Sequence, residues 1–160
     1  MTQLFELYRT PLFRYMISLG LGQHDAEEVI QEVFLALFRH LKAGKPRDNL
    51  RGWVFRTGHN LALKLRTRVH GRMTDSDPQV FELCIDPDPN PEQRLAAKQQ
   101  QALLSAVFRA LPERERACLA LRAEGFRYRE IAEIQGMSLG SVASVLARAL
   151  GKLAKVEAMQ

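Results

Sequence analysis

A chain of 160 residues, 46% of them hydrophobic, holds material for one ordinary domain or two small ones. Its net charge of +5 favours polyanionic partners and is unevenly placed. Residues 1–68 carry 11 Lys and Arg against 6 Asp and Glu, residues 69–98 carry 3 against 6, and residues 99–160 carry 9 against 6. Cys84 and Cys118 stand far apart with no CxxC pair and no histidine at ligand spacing, which argues against a metal or redox motif and fits a reducing compartment. The N-terminus lacks a cationic start followed by an apolar run, and no stretch approaches transmembrane length, so a cytoplasmic, unanchored protein is expected.

Nearly every periodic segment repeats at about 100° per residue, so the expected fold is all-α: two small helical domains joined by a flexible acidic linker. The first helix runs from Gln3 to Leu19, with Pro11 as a kink or break, and ends at Gly20 and Gly22 before Asp25 caps the next. That next helix (DAEEVIQEVFLALFRHL) buries Ala26, Ile30, Val33, Phe34, Leu37 and Leu41. Its opposite side carries Glu28, Glu32, Leu35 and Arg39, which leaves Leu35 as an apolar group between carboxylates.

A loop with Gly, Pro and three cations (KAGKPRDN) leads into a basic helix ending near Arg68. Its buried stripe is Val54, Gly58, Leu61, Ala62 and Leu65; the only tryptophan, Trp53, projects the other way among Arg56, Asn60, Lys64 and Thr67. A ring beside cations suits a nucleic acid, where it stacks on a base while the cations hold phosphates. It equally suits a ring packed on a neighbouring helix.

From Val69 to Pro91 the periodicity stops and four prolines sit among aspartates, a composition that buries little apolar surface and reads as a linker. This sets domains at 1–70 and 93–160 around a linker at 71–92. Helices resume over Glu92–Ala110, Glu113–Glu124, Tyr128–Gln135 and Leu139–Lys155, with Pro112 expected in the first turn of the second of these. The last two form a helix-turn-helix: Ala132 at the crossing, Gly136 in the turn, Ser138 as cap, and Val142 and Val145 facing inward. The outward side of the final helix offers Ser141, Ser144, Arg148 and Lys152 but no Asn or Gln for adenine. Strong salt dependence with modest base discrimination is therefore expected.

Two stretches in this order, DAEEVIQEVFLALFRHL with LRGWVFRTGHNLAL and LPERERACLALRAEGFRYREIAEIQGMSLGSV, resemble the second and fourth conserved regions of the extracytoplasmic-function class of bacterial RNA polymerase sigma factors. The resemblance implies a first domain that grips the β′ clamp helices of core RNA polymerase and melts the promoter −10 element. The second domain binds the −35 duplex, and an anti-sigma factor acts as a further partner. It places Glu28, Gln31, Glu32 and Leu35 at the polymerase surface. Lys45, Arg47, Asn49, Trp53, Arg56, Asn60, Lys64, Arg66 and Arg68 fall at the −10 strand, and Arg129, Ser141, Ser144, Arg148 and Lys152 at the −35 duplex. It implies no cofactor, no metal and no catalysis.

The chain departs from the family pattern at Gly58-His59-Asn60, where Ala-Arg-Asn is usual, and at Lys64, where Asp is common. Ala143 and Val145 stand where the recognition helix commonly has cations, which shifts promoter choice towards the −10 contacts or a partner. Gly58 is expected to weaken its helix by about 1 kcal/mol relative to Ala. The competing readings are a helix-turn-helix regulator that does not recruit polymerase and a sigma-like interaction module. An enzyme is the weakest reading, since His24, His40, His59 and His70 show no metal spacing and are expected at the surface or as caps.

Overall fold

The computed structural model describes residues 2–68 and 91–158, and among these the chain is entirely helical outside its turns. Seven helices are found there: α1 (Thr2–Ser18), α2 (Gln23–Lys42), α3 (Leu50–Arg68), α4 (Pro91–Ala110), α5 (Glu113–Ala123), α6 (Tyr128–Gln135) and α7 (Leu139–Ala158). The expected linker lies outside the described residues except for its last two positions, which open α4.

The helix starts follow local chemistry with two corrections. α2 begins at Gln23, behind Gly22, which has no side chain to cap it. Asp25 therefore sits inside the first turn, where its carboxylate meets the positive end of the helix dipole. Pro112 is the N-cap of α5 rather than a first-turn residue, followed by Glu113 and Glu115. Pro11 lies within α1 without ending it. The turns after it bury Leu12, Tyr15, Met16 and Ile17, and that packing outweighs the roughly 3 kcal/mol a mid-helix proline costs.

The first three helices form a bundle. α2 buries Ala26, Val29, Ile30, Val33, Phe34 and Leu37, the expected stripe plus Val29, while Leu41 is only partly covered. Gly58 of α3 marks the close approach of α1: a Cβ there would stand 3.0 Å from Leu12 Cδ1 and 3.4 Å from Met16 Cε. The glycine that costs α3 helix propensity thus lets two helices meet.

In the second half, α6 ends at Gly136 in the left-handed conformation (φ +70°), which suits glycine, and Ser138 Oγ accepts the Ser141 N–H at 3.1 Å to start α7. Val142, Val145, Leu146 and Ala149 are buried as expected; Leu153 is half-buried and Val156 joins the covered set.

The two halves share one buried cluster. α5 packs on α1 and α6 on α3. Phe126, between α5 and α6, is fully buried with its ring edge-on to Phe55 at 4.9 Å and under the Arg51 guanidinium at 3.9 Å. Arg51 also donates to the Glu124 carbonyl, Arg14 pairs with the Glu124 carboxylate at 2.8 Å, and Arg116 donates to the Ser18 carbonyl at 2.6 Å. This contact explains two departures from the expected α3 stripe: Phe55, which lay outside it, and His59, expected at the surface or as a cap, are both buried.

Candidate functional site

Three surfaces carry the residues singled out above. On α2, Glu28, Gln31 and Glu32 are exposed around Leu35, which keeps half its surface open on the side away from the core. Beside them, Glu28 and Glu32 line a shallow groove whose opposite wall is Lys64 and Arg68 of α3, so the acidic face of one helix adjoins the basic end of the next. An apolar group ringed by carboxylates suits a basic protein surface with an apolar centre. At the start of α2, His24, Asp25 and Glu28 bring ligand atoms within 4.8 Å of one another, a proximity that linear spacing did not flag. All three face solvent wholly or in part and enclose nothing.

The second surface is the loop before α3 and the polar side of that helix. Lys45 and Arg47 are exposed. Asn49 adopts φ +53°, a conformation asparagine tolerates, and its Oδ1 accepts the Gly52 N–H at 3.2 Å, closing the first turn of α3. A Cβ on Gly52 would lie 2.5 Å from the Asn49 amide nitrogen, so the pair is matched.

Trp53 joins both roles left open by the sequence. One side packs on His40 with ring centroids 4.8 Å apart, and His40 Nε2 in turn meets the Pro46 carbonyl at 2.8 Å, tying the loop to α2. The other side lines a cavity of about 480 Å³ with Asn49, Arg56 and Asn60; its far wall is Glu130, Glu133 and Ile134 of α6. Arg56, Asn60, Lys64 and Arg68 are exposed along α3. Arg66 is not aligned with them: its guanidinium is ion-paired with Glu113 of α5.

The third surface is α7. Ser141, Ser144, Arg148 and Lys152 are exposed, as is Arg129 on α6. Ser141 Oγ also accepts from Ser138 Oγ at 2.8 Å. The two cations share an anchor the sequence did not signal: Glu115 of α5, its side chain 7% exposed, lies 2.8 Å from Lys152 Nζ and 3.8 Å from Arg148 Nε. Lys152 is thus committed to holding α7 on α5, while Arg148, with 65% of its side chain exposed, extends into solvent.

His59 is the histidine the sequence misplaced. It is 5% exposed, and its Nδ1 lies 2.8 Å from Tyr15 Oη, which also receives the Gln135 amide at 2.7 Å. Burial lowers the His59 pKa below the usual imidazole range; Glu113 opposes that shift and Arg66 adds to it. Burial likewise drives the Tyr15 phenol well above its usual range.

The sigma-70 region 2 family matches residues 4–72 and the sigma-70 region 4 family matches residues 101–153. The chain is similar to the ECF RNA polymerase sigma factor SigE of Mycolicibacterium smegmatis, with 33% identity over 148 residues, covering 91% of this chain and 57% of the relative. It is also similar to the ECF RNA polymerase sigma factor SigM of Bacillus subtilis, at 23% identity, covering 94% of this chain and 91% of that protein. Among solved structures, the fold resembles the sigma factor RpoE in complex with the anti-sigma factor NepR from Bartonella quintana. The TM-score is 0.64 at 24% identity, covering 97% of this chain and 94% of that one.

Proposed function

Because the chain belongs to the extracytoplasmic-function class of sigma-70 factors, we propose that it binds core RNA polymerase and directs promoter recognition and melting. The observation that carries this is the adjacency of two unlike surfaces on one helical bundle. The Glu28, Gln31, Glu32 and Leu35 face of α2 offers a docking patch for a basic, apolar-centred partner such as the β′ clamp helices. On the neighbouring helix, Trp53, Arg56, Asn60, Lys64 and Arg68, with Lys45, Arg47 and Asn49 before them, offer a ring, amides and cations for a melted −10 strand. A DNA-binding regulator that does not recruit polymerase leaves the α2 patch without a role.

In this reading residues 1–70 form the polymerase and −10 domain and residues 93–160 the −35 domain. Arg129, Ser141, Ser144 and Arg148 meet the duplex, and Lys152 acts mainly through Glu115. The protein works in the cytoplasm, where polymerase and DNA are; none of the described helices is long and apolar enough to cross a membrane. An anti-sigma factor is the natural regulatory partner, as the RpoE–NepR complex illustrates for that relative.

The test is binding of the chain to sigma-free core polymerase beside a Gln31→Ala/Glu32→Arg variant. Tight binding lost in the variant supports the reading. A folded wild-type chain that does not bind refutes it.

A further inference from the structure

The far wall of the Trp53 cavity belongs to the same chain. Glu130 and Glu133 of α6 stand across from Arg56 and Asn60 of α3, so carboxylates face the groups assigned to DNA phosphates and bases. Under this edge lies a polar chain through three helices: the Gln135 amide of α6 donates to Tyr15 Oη of α1 at 2.7 Å, and Tyr15 Oη meets His59 Nδ1 of α3 at 2.8 Å. An amide nitrogen only donates, so the phenolic proton is available to Nδ1, the arrangement that suits a neutral His59 with its proton on Nε2. A protonated His59 no longer accepts the Tyr15 O–H and instead donates to the Tyr15 oxygen. Tyr15 would then receive two donors and have to send its own proton elsewhere, yet it is fully buried.

We infer that α6 walls the Trp53, Arg56 and Asn60 part of the α3 face and narrows access to it, and that the Gln135–Tyr15–His59 chain is a latch that holds this closed state at neutral pH and releases it in acid. The other groups facing His59 do not override the latch. Arg66 on its own helix and Glu113 from α5 neutralise each other in an ion pair. Cys118 of α5, which acts on Tyr15, is a thiol whose pKa is pushed up to about 11, and Arg116 of α5 is a guanidinium; neither titrates in mild acid. α6 carries Glu130 and Glu133 on the cavity wall, across from Asn60 beside His59, and Arg129 on its exposed side.

The sign follows from His59 being harder to protonate when closed than when open. The latch is intact above the ordinary histidine value of 6.5. As pH falls below it, the open form gains a proton that the closed form refuses. The closed-to-open ratio then drops by up to about tenfold per pH unit, until the closed form is protonated too. Closure stands on the chain's own geometry; only its consequence, narrowed access to the promoter surface, rests on the function proposed above.

Single-molecule energy transfer between dyes on Lys42→Cys and Lys155→Cys, in the full chain with Cys84→Ser and Cys118→Ser, reads that ratio from pH 7.5 to 5.5. A drop of roughly five- to tenfold is expected, together with less than a twofold change in His59→Asn, whose amide oxygen replaces Nδ1 as acceptor but does not titrate. Gln135→Ala, at a half-buried position, should lower the ratio several-fold at pH 7.5 with helix content unchanged, and it decides the matter if His59→Asn misfolds. A ratio insensitive to pH, a His59→Asn chain that titrates like the wild type, or an unchanged ratio in Gln135→Ala overturns the latch. A chain that opens as stated but does not bind core polymerase overturns the proposed function and leaves the latch standing.

Discussion

Replacing Glu115 by Gln keeps the side-chain volume and removes the charge that anchors two cations of α7. Arg148 Nε, at 3.8 Å and largely exposed, is beyond hydrogen-bond reach and already available to DNA; Lys152 Nζ, at 2.8 Å, is held. The substitution therefore releases about one cation rather than two. Each phosphate neutralised adds about 0.9 to the slope of log K against log salt. Glu115→Gln should steepen the slope for a −35 duplex by that amount and tighten binding at low salt. The stability lost is about 1 kcal/mol or less, because Lys152 is 46% exposed and the pair is screened by solvent.

Lys152→Ala separates the two roles. It leaves the Glu115 carboxylate covered without its nearest partner, at a cost of about 1–3 kcal/mol, while the salt slope stays the same. Fluorescence anisotropy of a labelled duplex between 50 and 200 mM salt, roughly the range over which counterion release is read, with urea melts of each variant, measures both quantities. A slope that flattens in Lys152→Ala and does not move in Glu115→Gln would show that Lys152 is an ordinary phosphate ligand and would refute the argument.

Two further outcomes follow from buried contacts. Gly58→Val places methyl groups where a single Cβ already stands 3.0 Å from Leu12 Cδ1, so overpacking outweighs the gain in helix propensity. A loss of about 2 kcal/mol is expected, read from the urea midpoint at unchanged m-value, and a stabilised variant would contradict the packing account. Cys118, fully buried with its thiol pushed up to about 11, should react with iodoacetamide at pH 8 about 100-fold more slowly in the folded chain than in urea, as followed by mass spectrometry of its peptide. The preference for the protonated thiol stabilises the fold below the unfolded value of 9.0, and that contribution drains away as pH rises towards 11; native-state labelling at the unfolded rate would show the site is open.

The sequence by itself determined the helices and most of their faces. The 3.6-residue period placed Ala26, Ile30, Val33 and Leu37 inside and Glu28, Glu32, Leu35 and Arg39 outside, and Gly136 with Ser138 marked the turn of the helix-turn-helix. These features are local: an apolar stripe, a left-handed turn residue and a cap are each written within a few positions of the chain. What only the tertiary structure decided is which polar side chains meet across long separations. Arg66 and Glu113 are 47 residues apart, Arg51 and the Glu124 carbonyl 73, and Tyr15 and Gln135 120.

Periodicity reports that a face is polar and is silent about whether it meets water, DNA or another helix. His59 therefore read as a surface or capping residue until Tyr15 met it, Phe55 drew no reading until Phe126 packed on it, and Lys152 read as a DNA ligand until Glu115 lay beneath it. Gly58 shows the same division. Its helix-propensity cost was visible in one dimension, while its reason, the approach of Leu12 and Met16, exists only where α1 crosses α3.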